Sequence, residues 1–295
     1  MTTKCKCHNL AFKIQKAFES DQIELFFRKA IQCVTEEDYS KITRFRFKDD
    51  SLSCLVGRLF LRQMAKRITG KPWHQIEFET TDRGKPYMAN TGNSIFGMNI
   101  SHHGDYTVFV SSCSANIGVD VMKLDEFRSN QTVDEYINFM SKSFSSEELT
   151  TMKNQESDFK KMTMFYRYWC LKESILKSTG IGIVKDLQKY DFRIDPAEPY
   201  RPGCLITSTK LILKDVLSSR WIFEESFLDE NHVVAVCRER DPPETCSSSR
   251  NPDSRFPFTE VEFDFLLDGA SILYPLHDEG SGDFENFQAK PVKNF

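Results

Sequence analysis

Two stretches 110 residues apart end alike, Arg67-Ile-Thr-Gly70 and Lys177-Ser-Thr-Gly180. In both places a helical pattern stops at Thr-Gly and a strand-like run carrying an aromatic follows, and the same shift lays Arg62 on Lys172 and Arg67 on Lys177. A tandem duplication explains this pattern. It restricts the fold to two similar helix-plus-strands units packed side by side, with a cleft between them where ligands usually sit.

The remaining punctuation is consistent with this division. Thr35-Glu-Glu-Asp38 reads as a helix start, and Ser53 to Thr69 keeps Leu55, Leu59, Met64 and Ile68 near helical period. Strand-like runs follow at 76–78 and 106–110, with Asn99 to Asp105 between them as a polar loop. In the second unit Ile117 to Met122 is an apolar strand, Phe144-Ser-Ser-Glu-Glu148 a capped helix start, and about Phe159 to Thr179 a helix. Strands are expected over 190–194, 205–213, 221–227 and 232–237. Residues 241–256, rich in Pro, Ser and charge, form a linker. Beyond it, alternation of Val261, Phe263 and Phe265 with acids predicts an edge strand docked on the body, and the last fifteen residues read as disordered. The expected boundaries are 1–114, 115–240 and 241–295.

Composition excludes several classes. There is no apolar run of the ~18 residues a membrane span needs, and the charged amino terminus lacks the core of a secretory signal. Nine cysteines without framework spacing read as reduced thiols, so the cytosol is the expected location and no membrane partner is expected. From Asp241 onward eleven acids face four bases, net −7, which leaves a body of net +3. That excess can attract a phosphate-rich ligand or an acidic protein, but it is too small for a nucleic-acid binder, despite Arg44, Arg46, Arg58, Arg62 and Arg67.

Four stretches concentrate unusual polar groups. Asp120 sits within an apolar strand, where a carboxylate is costly unless paired or bound to metal, although at a strand end it could simply face solvent. Glu173 and Lys177 share one helical face. Alone they would be a surface ion pair, but Tyr166, Trp169, Leu171 and Ile175 mark the helix as largely buried and turn the charged stripe toward a cleft. The donor-rich stretch from Asn99 to Asp105 and the basic turn Thr81-Asp-Arg-Gly-Lys-Pro86 suit phosphate oxygens, though each also fits an ordinary surface turn. Two carboxylates with hard oxygen donors, surrounded by bases, describe a Mg2+ site holding a phosphorylated substrate.

The ordered set Gly84-Lys-Pro86, Asn99-Ile-Ser-His102, Gly118-Val-Asp-Val-Met122 and Trp169-Cys-Leu-Lys-Glu-Ser-Ile-Leu-Lys177 with Gly180-Ile-Gly182 resembles the 4′-phosphopantetheinyl transferases, most closely their large eukaryotic members. The resemblance runs from about Thr35 to Arg240. It implies a monomeric α+β protein, two similar helix-plus-antiparallel-sheet subdomains related by pseudo-twofold symmetry, with coenzyme A and Mg2+ in the cleft and the C-terminal extension packing back on the body. The implied reaction moves phosphopantetheine from coenzyme A to a serine of an acyl or peptidyl carrier protein, such as fatty-acid synthase or aminoadipate-type reductase carriers, releasing adenosine 3′,5′-bisphosphate. By motif position, Asp120 and Glu173 ligate the metal, Glu173 doubles as the base, and Lys177 neutralises phosphate oxygens. Asn99, Ile100, Ser101 and His102 contact the nucleotide phosphates, and Arg83, Gly84 and Lys85 the adenylate end. Lys41 aligns with a family arginine that binds coenzyme A, keeping the charge but not the planar fork. Two departures stand out: Met122 replaces a second strand acid of the bacterial members, so water completes the metal's coordination, and Thr80 replaces an arginine of the close relatives. The alternative is a non-catalytic coenzyme A or nucleotide-binding module that recognises carrier proteins, which the same phosphate-binding residues would serve.

Overall fold

The computed structural model describes residues 6–89, 96–124, 131–182, 186–240 and 258–293. The amino-terminal half opens with β1 (His8–Lys13), α1 (Ile14–Phe18), α2 (Ile23–Gln32), α3 (Glu36–Thr43) and α4 (Lys48–Thr69). It continues through β2 (Phe78–Thr80), β3 (Pro86–Met88), β4 (Gly97–His103) and β5 (Tyr106–Ser112). The second half holds β6 (Ile117–Lys123), α5 (Val133–Phe139), α6 (Ser146–Lys153), α7 (Asp158–Thr179), β7 (Tyr190–Arg193), β8 (Lys210–Leu213), β9 (Val216–Leu217), β10 (Trp221–Asp229) and β11 (His232–Glu239). The extension adds β12 (Thr259–Glu260), α8 (Phe263–Leu267) and α9 (Ser281–Ala289).

Each half is built in the same order: a strand, a 22-residue helix, then an antiparallel hairpin whose second strand returns to pair with the first. The sheets read β12-β1-β5-β4 and β10-β11-β6. Helices α4 and α7 are spaced as the Thr-Gly repeat foretells, and both stop because Gly70 and Gly180 take left-handed φ of 72° and 65°, a conformation only glycine adopts freely. The expected helix starts hold at Thr35, whose hydroxyl accepts from Asp38 N, and at Ser145, which forms a reciprocal capping box with Glu148. Helix α4 begins five residues before the expected Ser53, because Ser51, Leu52 and Ser53 are already buried.

The edge strands β6 and β4 meet without a backbone ladder. Side chains join them instead: Val119 N donates to Asn99 Oδ1 at 3.0 Å and Lys123 N to His103 Nδ1 at 3.0 Å. At the hairpin turns, Asp105 N donates to His232 Nε2 at 3.1 Å, and the His232 Nδ1 side faces Asp229 at 2.8 Å. Behind this seam Val108, Val110, Val119, Val121, Val234 and Val236 form an apolar layer shared by both sheets.

Three expectations need correction. Residues 97–103 are strand rather than loop, because Asn99 and Ser101 are consumed in this seam and Ile100 packs toward α4. In the extension the expected alternating strand is only two residues of β12, parallel to β1, after which the chain turns helical. Phe263, Leu266 and Leu267 there fall on one helical face and bury in the amino-terminal core, which outweighs the alternation. Over its described part, 281–293, the final stretch is ordered: α9 buries Phe287, stacked 4.4 Å from Phe27. Short amphipathic segments of this kind carry too few turns for a periodic signal. Among the described residues no helix is long and apolar enough to cross a membrane.

Candidate active site

Strand β6 and helix α7 lie in unusually close contact. A Cβ on Gly118 would meet Ser174 O at 2.1 Å and Ser178 N at 2.4 Å, so only glycine admits the helix this near. Two residues on, Asp120 is 5% exposed. Its Oδ1 receives Lys177 Nζ at 2.6 Å and Ser101 Oγ at 2.9 Å, and Lys177 also donates to Ser101 at 2.9 Å. The remaining oxygen, Oδ2, is buried with no hydrogen-bond partner. Such an orphan costs about 1–3 kcal/mol unless something fills the position.

Glu173 completes the cluster from one turn earlier on α7. Burial first, and then the charge of Asp120, push its carboxyl above the ordinary range, while Lys177 opposes the shift. A buried carboxylate with one oxygen orphaned, beside a second carboxyl whose proton affinity is raised by burial and by the first charge, suits a small divalent cation. Among the described residues no cluster of three or more His, Cys, Asp or Glu forms a metal cage. Two carboxylates alone would leave the rest of such an ion's shell to water or other oxygens. Met122, half-buried on β6, contributes no oxygen.

Of the other expected residues, His102 lies exposed beside this cluster; partial desolvation, followed by the Lys177 charge, holds its imidazole below its ordinary value. Asn99 and Ser101 are buried and hold β6 and Asp120, so their roles are to position rather than to face solvent. The Ile100 side chain faces α4, where a Cβ on Gly57 would touch it at 3.0 Å. Lys85 is not presented outward: its ammonium donates to Ser178 O at 2.8 Å and Ile117 O at 3.3 Å, and burial lowers it to about 8. It caps the last turn of α7, where a cation is favoured. Arg83 is exposed, with its Cδ 3.7 Å from a Cβ placed on Gly182, and Gly84 forms the turn at φ 81°. The basic turn thus packs on the Gly180 to Gly182 break. Lys41, exposed and paired with Glu37 at 2.6 Å, borders a separate cavity of about 510 Å³ reached past Thr80 and Pro86.

The fully buried pairs beneath the site escaped the sequence reading. Lys172 is 0% exposed and meets Glu148 at 2.9 Å and the carbonyls of Leu187 (3.3 Å) and Tyr190 (2.6 Å). Arg167 and Glu225 form a second such pair at 2.6 Å, with Tyr200 over the guanidinium at 4.2 Å. The available signal was a capping-box glutamate and a lysine adjacent to Glu173, both of which read as surface charges.

A sequence profile described as 4′-phosphopantetheinyl transferase, N-terminal, matches residues 21–114, and one for the 4′-phosphopantetheinyl transferase superfamily matches 116–237. A Xenopus laevis L-aminoadipate-semialdehyde dehydrogenase-phosphopantetheinyl transferase is 32% identical over 263 residues, covering 88% of this chain and 85% of the relative. The chain belongs to the 4′-phosphopantetheinyl transferase family. The Homo sapiens protein of the same description is 31% identical over 256 residues, covering 83% and 81% of the two chains. A Thraustochytrium phosphopantetheinyl transferase is 31% identical over 208 residues, or 69% of each. The chain is thus a transferase with the mixed helix and antiparallel-sheet fold of that family.

Proposed function

We propose that the chain moves 4′-phosphopantetheine from coenzyme A onto a serine hydroxyl of carrier protein domains, with Mg2+ held by Asp120 and Glu173. The observation that supports this most directly is the buried Asp120 carboxylate, shared by Lys177 and Ser101 on one oxygen and orphaned on the other, facing a Glu173 of raised proton affinity. When bound, the ion supplies charge neutralisation on the pyrophosphate.

Glu173, the second carboxylate of the cluster, accepts the serine proton. The serine oxygen forms a bond to the phosphorus that carries pantetheine. The bond from that phosphorus to the bridging oxygen breaks, and adenosine 3′,5′-bisphosphate leaves with the electron pair. Lys177, tethered by Ser101 at the mouth of the cluster and 29% exposed, supplies positive charge to the oxygens on which negative charge accumulates. The Arg83 turn extends the positive rim for the remaining phosphates, and His102, whose charged form is disfavoured, offers them a neutral imidazole N–H donor. The acceptors are carrier domains of the fatty-acid-synthase or aminoadipate-reductase type, and the chain acts as a monomer.

Incubating purified chain, coenzyme A and Mg2+ with an apo-carrier protein tests this reading by mass spectrometry. The expected outcome is a gain of one phosphopantetheine that disappears in Asp120→Ala and Glu173→Ala. No gain on carriers that other transferases modify would leave only nucleotide binding.

A further inference from the structure

The cavity beside Lys41 has walls from two sources that the duplication does not relate. One is the amino-terminal half, through α3, α4 and the strand leading to the basic turn, with Arg58 and His74 among the polar groups. The other is the carboxy-terminal extension, which contributes Leu273 and Tyr274. This segment is held firmly. Leu273 N and Tyr274 N both donate to Gln32 O, at 2.8 and 3.1 Å, and Leu276 N donates to Gln32 Oε1 at 3.2 Å. The Tyr274 ring rests 4.9 Å from the ring of Tyr39, whose hydroxyl donates to Asp283 at 2.7 Å. The extension also borders the catalytic cluster elsewhere. Lys293 pairs with Asp50 at 3.2 Å, and both charges act on His102.

A preformed cavity with an aromatic wall, two leucines and a rim that mixes bases (Lys41, Arg58, His74) with carboxylates (Glu36, Glu37, Glu77) offers a flat heteroaromatic ring both a stacking surface and hydrogen-bond donors and acceptors, and so matches a purine better than a flexible pantetheine arm. The Thr80 to Pro86 turn joins this cavity to the end of α7, so a molecule whose reacting phosphate lies at Lys177 would extend its far end past that turn. We propose that the carboxy-terminal extension forms one wall of the donor pocket, with Tyr274 as the surface on which the purine ring of coenzyme A rests. This assignment depends on the transferase reading above, and it gives the extension a role in selecting the donor.

Titration calorimetry on the full chain separates the two claims, with coenzyme A, adenosine 3′,5′-bisphosphate and inorganic pyrophosphate as probes. Coenzyme A binding and carrier modification by the wild-type chain test the transferase reading alone. For the inference, Tyr274→Leu, which keeps apolar bulk without a π face, weakens both nucleotides about tenfold and leaves pyrophosphate unchanged, while Tyr274→Phe binds like wild type. In turnover the same leucine variant raises KM for coenzyme A and leaves kcat alone. Wild-type nucleotide affinity in Tyr274→Leu, or an equal loss for pyrophosphate and nucleotides, overturns the inference while leaving the transferase reading intact.

Discussion

Helices α4 and α7 have the same length and the same Thr-Gly stop, and each carries a buried cation at the same position. Arg62 donates to the carbonyls of Trp73 and Ile76, and Lys172 to those of Leu187 and Tyr190, each reaching forward to the short turn after its helix. The halves diverge where the proposed chemistry sits. At the positions of Asp120, Glu173 and Lys177, the amino-terminal half has Leu10, Gln63 and Arg67. There the extension covers the equivalent surface: Gln63 Nε2 donates to Phe265 O at 2.7 Å, and Arg67 pairs with Asp268 at 2.9 Å and lies over the Phe265 ring at 4.3 Å. One architecture therefore yields a charged cluster open to solvent at Lys177 in one half and a surface covered by the extension in the other.

Substituting equivalent residues in each half should separate these roles. The largest effect is expected at the acids: Asp120→Ala lowers carrier modification at least about a thousandfold, or roughly 4 kcal/mol of barrier. Lys177→Ala costs about a hundredfold or more, while its counterpart Arg67→Ala stays within about twofold of wild type. Comparable rate losses for Lys177→Ala and Arg67→Ala in a mass-spectrometric time course would erase the asymmetry. Next come the buried cations, read by urea denaturation. Lys172→Met leaves Glu148 buried and uncompensated and costs about 3–5 kcal/mol, whereas Arg62→Met strands only two carbonyls and costs about 1–3 kcal/mol.

Smaller again is the glycine pair. Gly118→Ala forces α7 off β6 and destabilises by about 1–3 kcal/mol with loss of activity, while Gly57→Ala meets only the movable end of Ile100 and changes stability by less than about 1 kcal/mol. A pH dependence of comparable size arises at the hairpin turn of the second half. Burial disfavours charge on Asp229, but its bonds to His232 and Asn231 N outweigh that and lower its carboxyl from 3.8 to about 2. A depressed value means stability present above pH 3.8 and lost as pH falls toward 2, on the order of 2 kcal/mol, which Asp229→Asn removes from the acid limb of a stability profile.

Much of this was legible in the sequence because the informative signals were local. The Thr-Gly stops, the Thr35 and Ser145 caps and the strand around Asp120 each depend on a few adjacent residues. The Glu173 and Lys177 stripe was legible too, since a fixed helical spacing links it to a buried aromatic face. Contacts between distant segments were not. Lys172 adjacent to Glu173 reads as a second surface charge until Glu148 folds against it, and Lys85 reads as an exposed base until the end of α7 arrives to accept its protons. Asn99 and Ser101 resembled a phosphate loop because seam side chains and ligand side chains use the same donors. In the extension, alternation and helical spacing coexist in Phe263 to Leu267, and only the presence of the amino-terminal core decides between them.

Asn99, Ser101 and His103 come from one half, and Val119, Asp120 and Lys123 from the other, so the join between the halves and the charge cluster are a single object. An unassembled half has Ser101 without a carboxylate, or Asp120 without its hydroxyl. A nascent chain thus assembles this charge cluster only on completing its architecture.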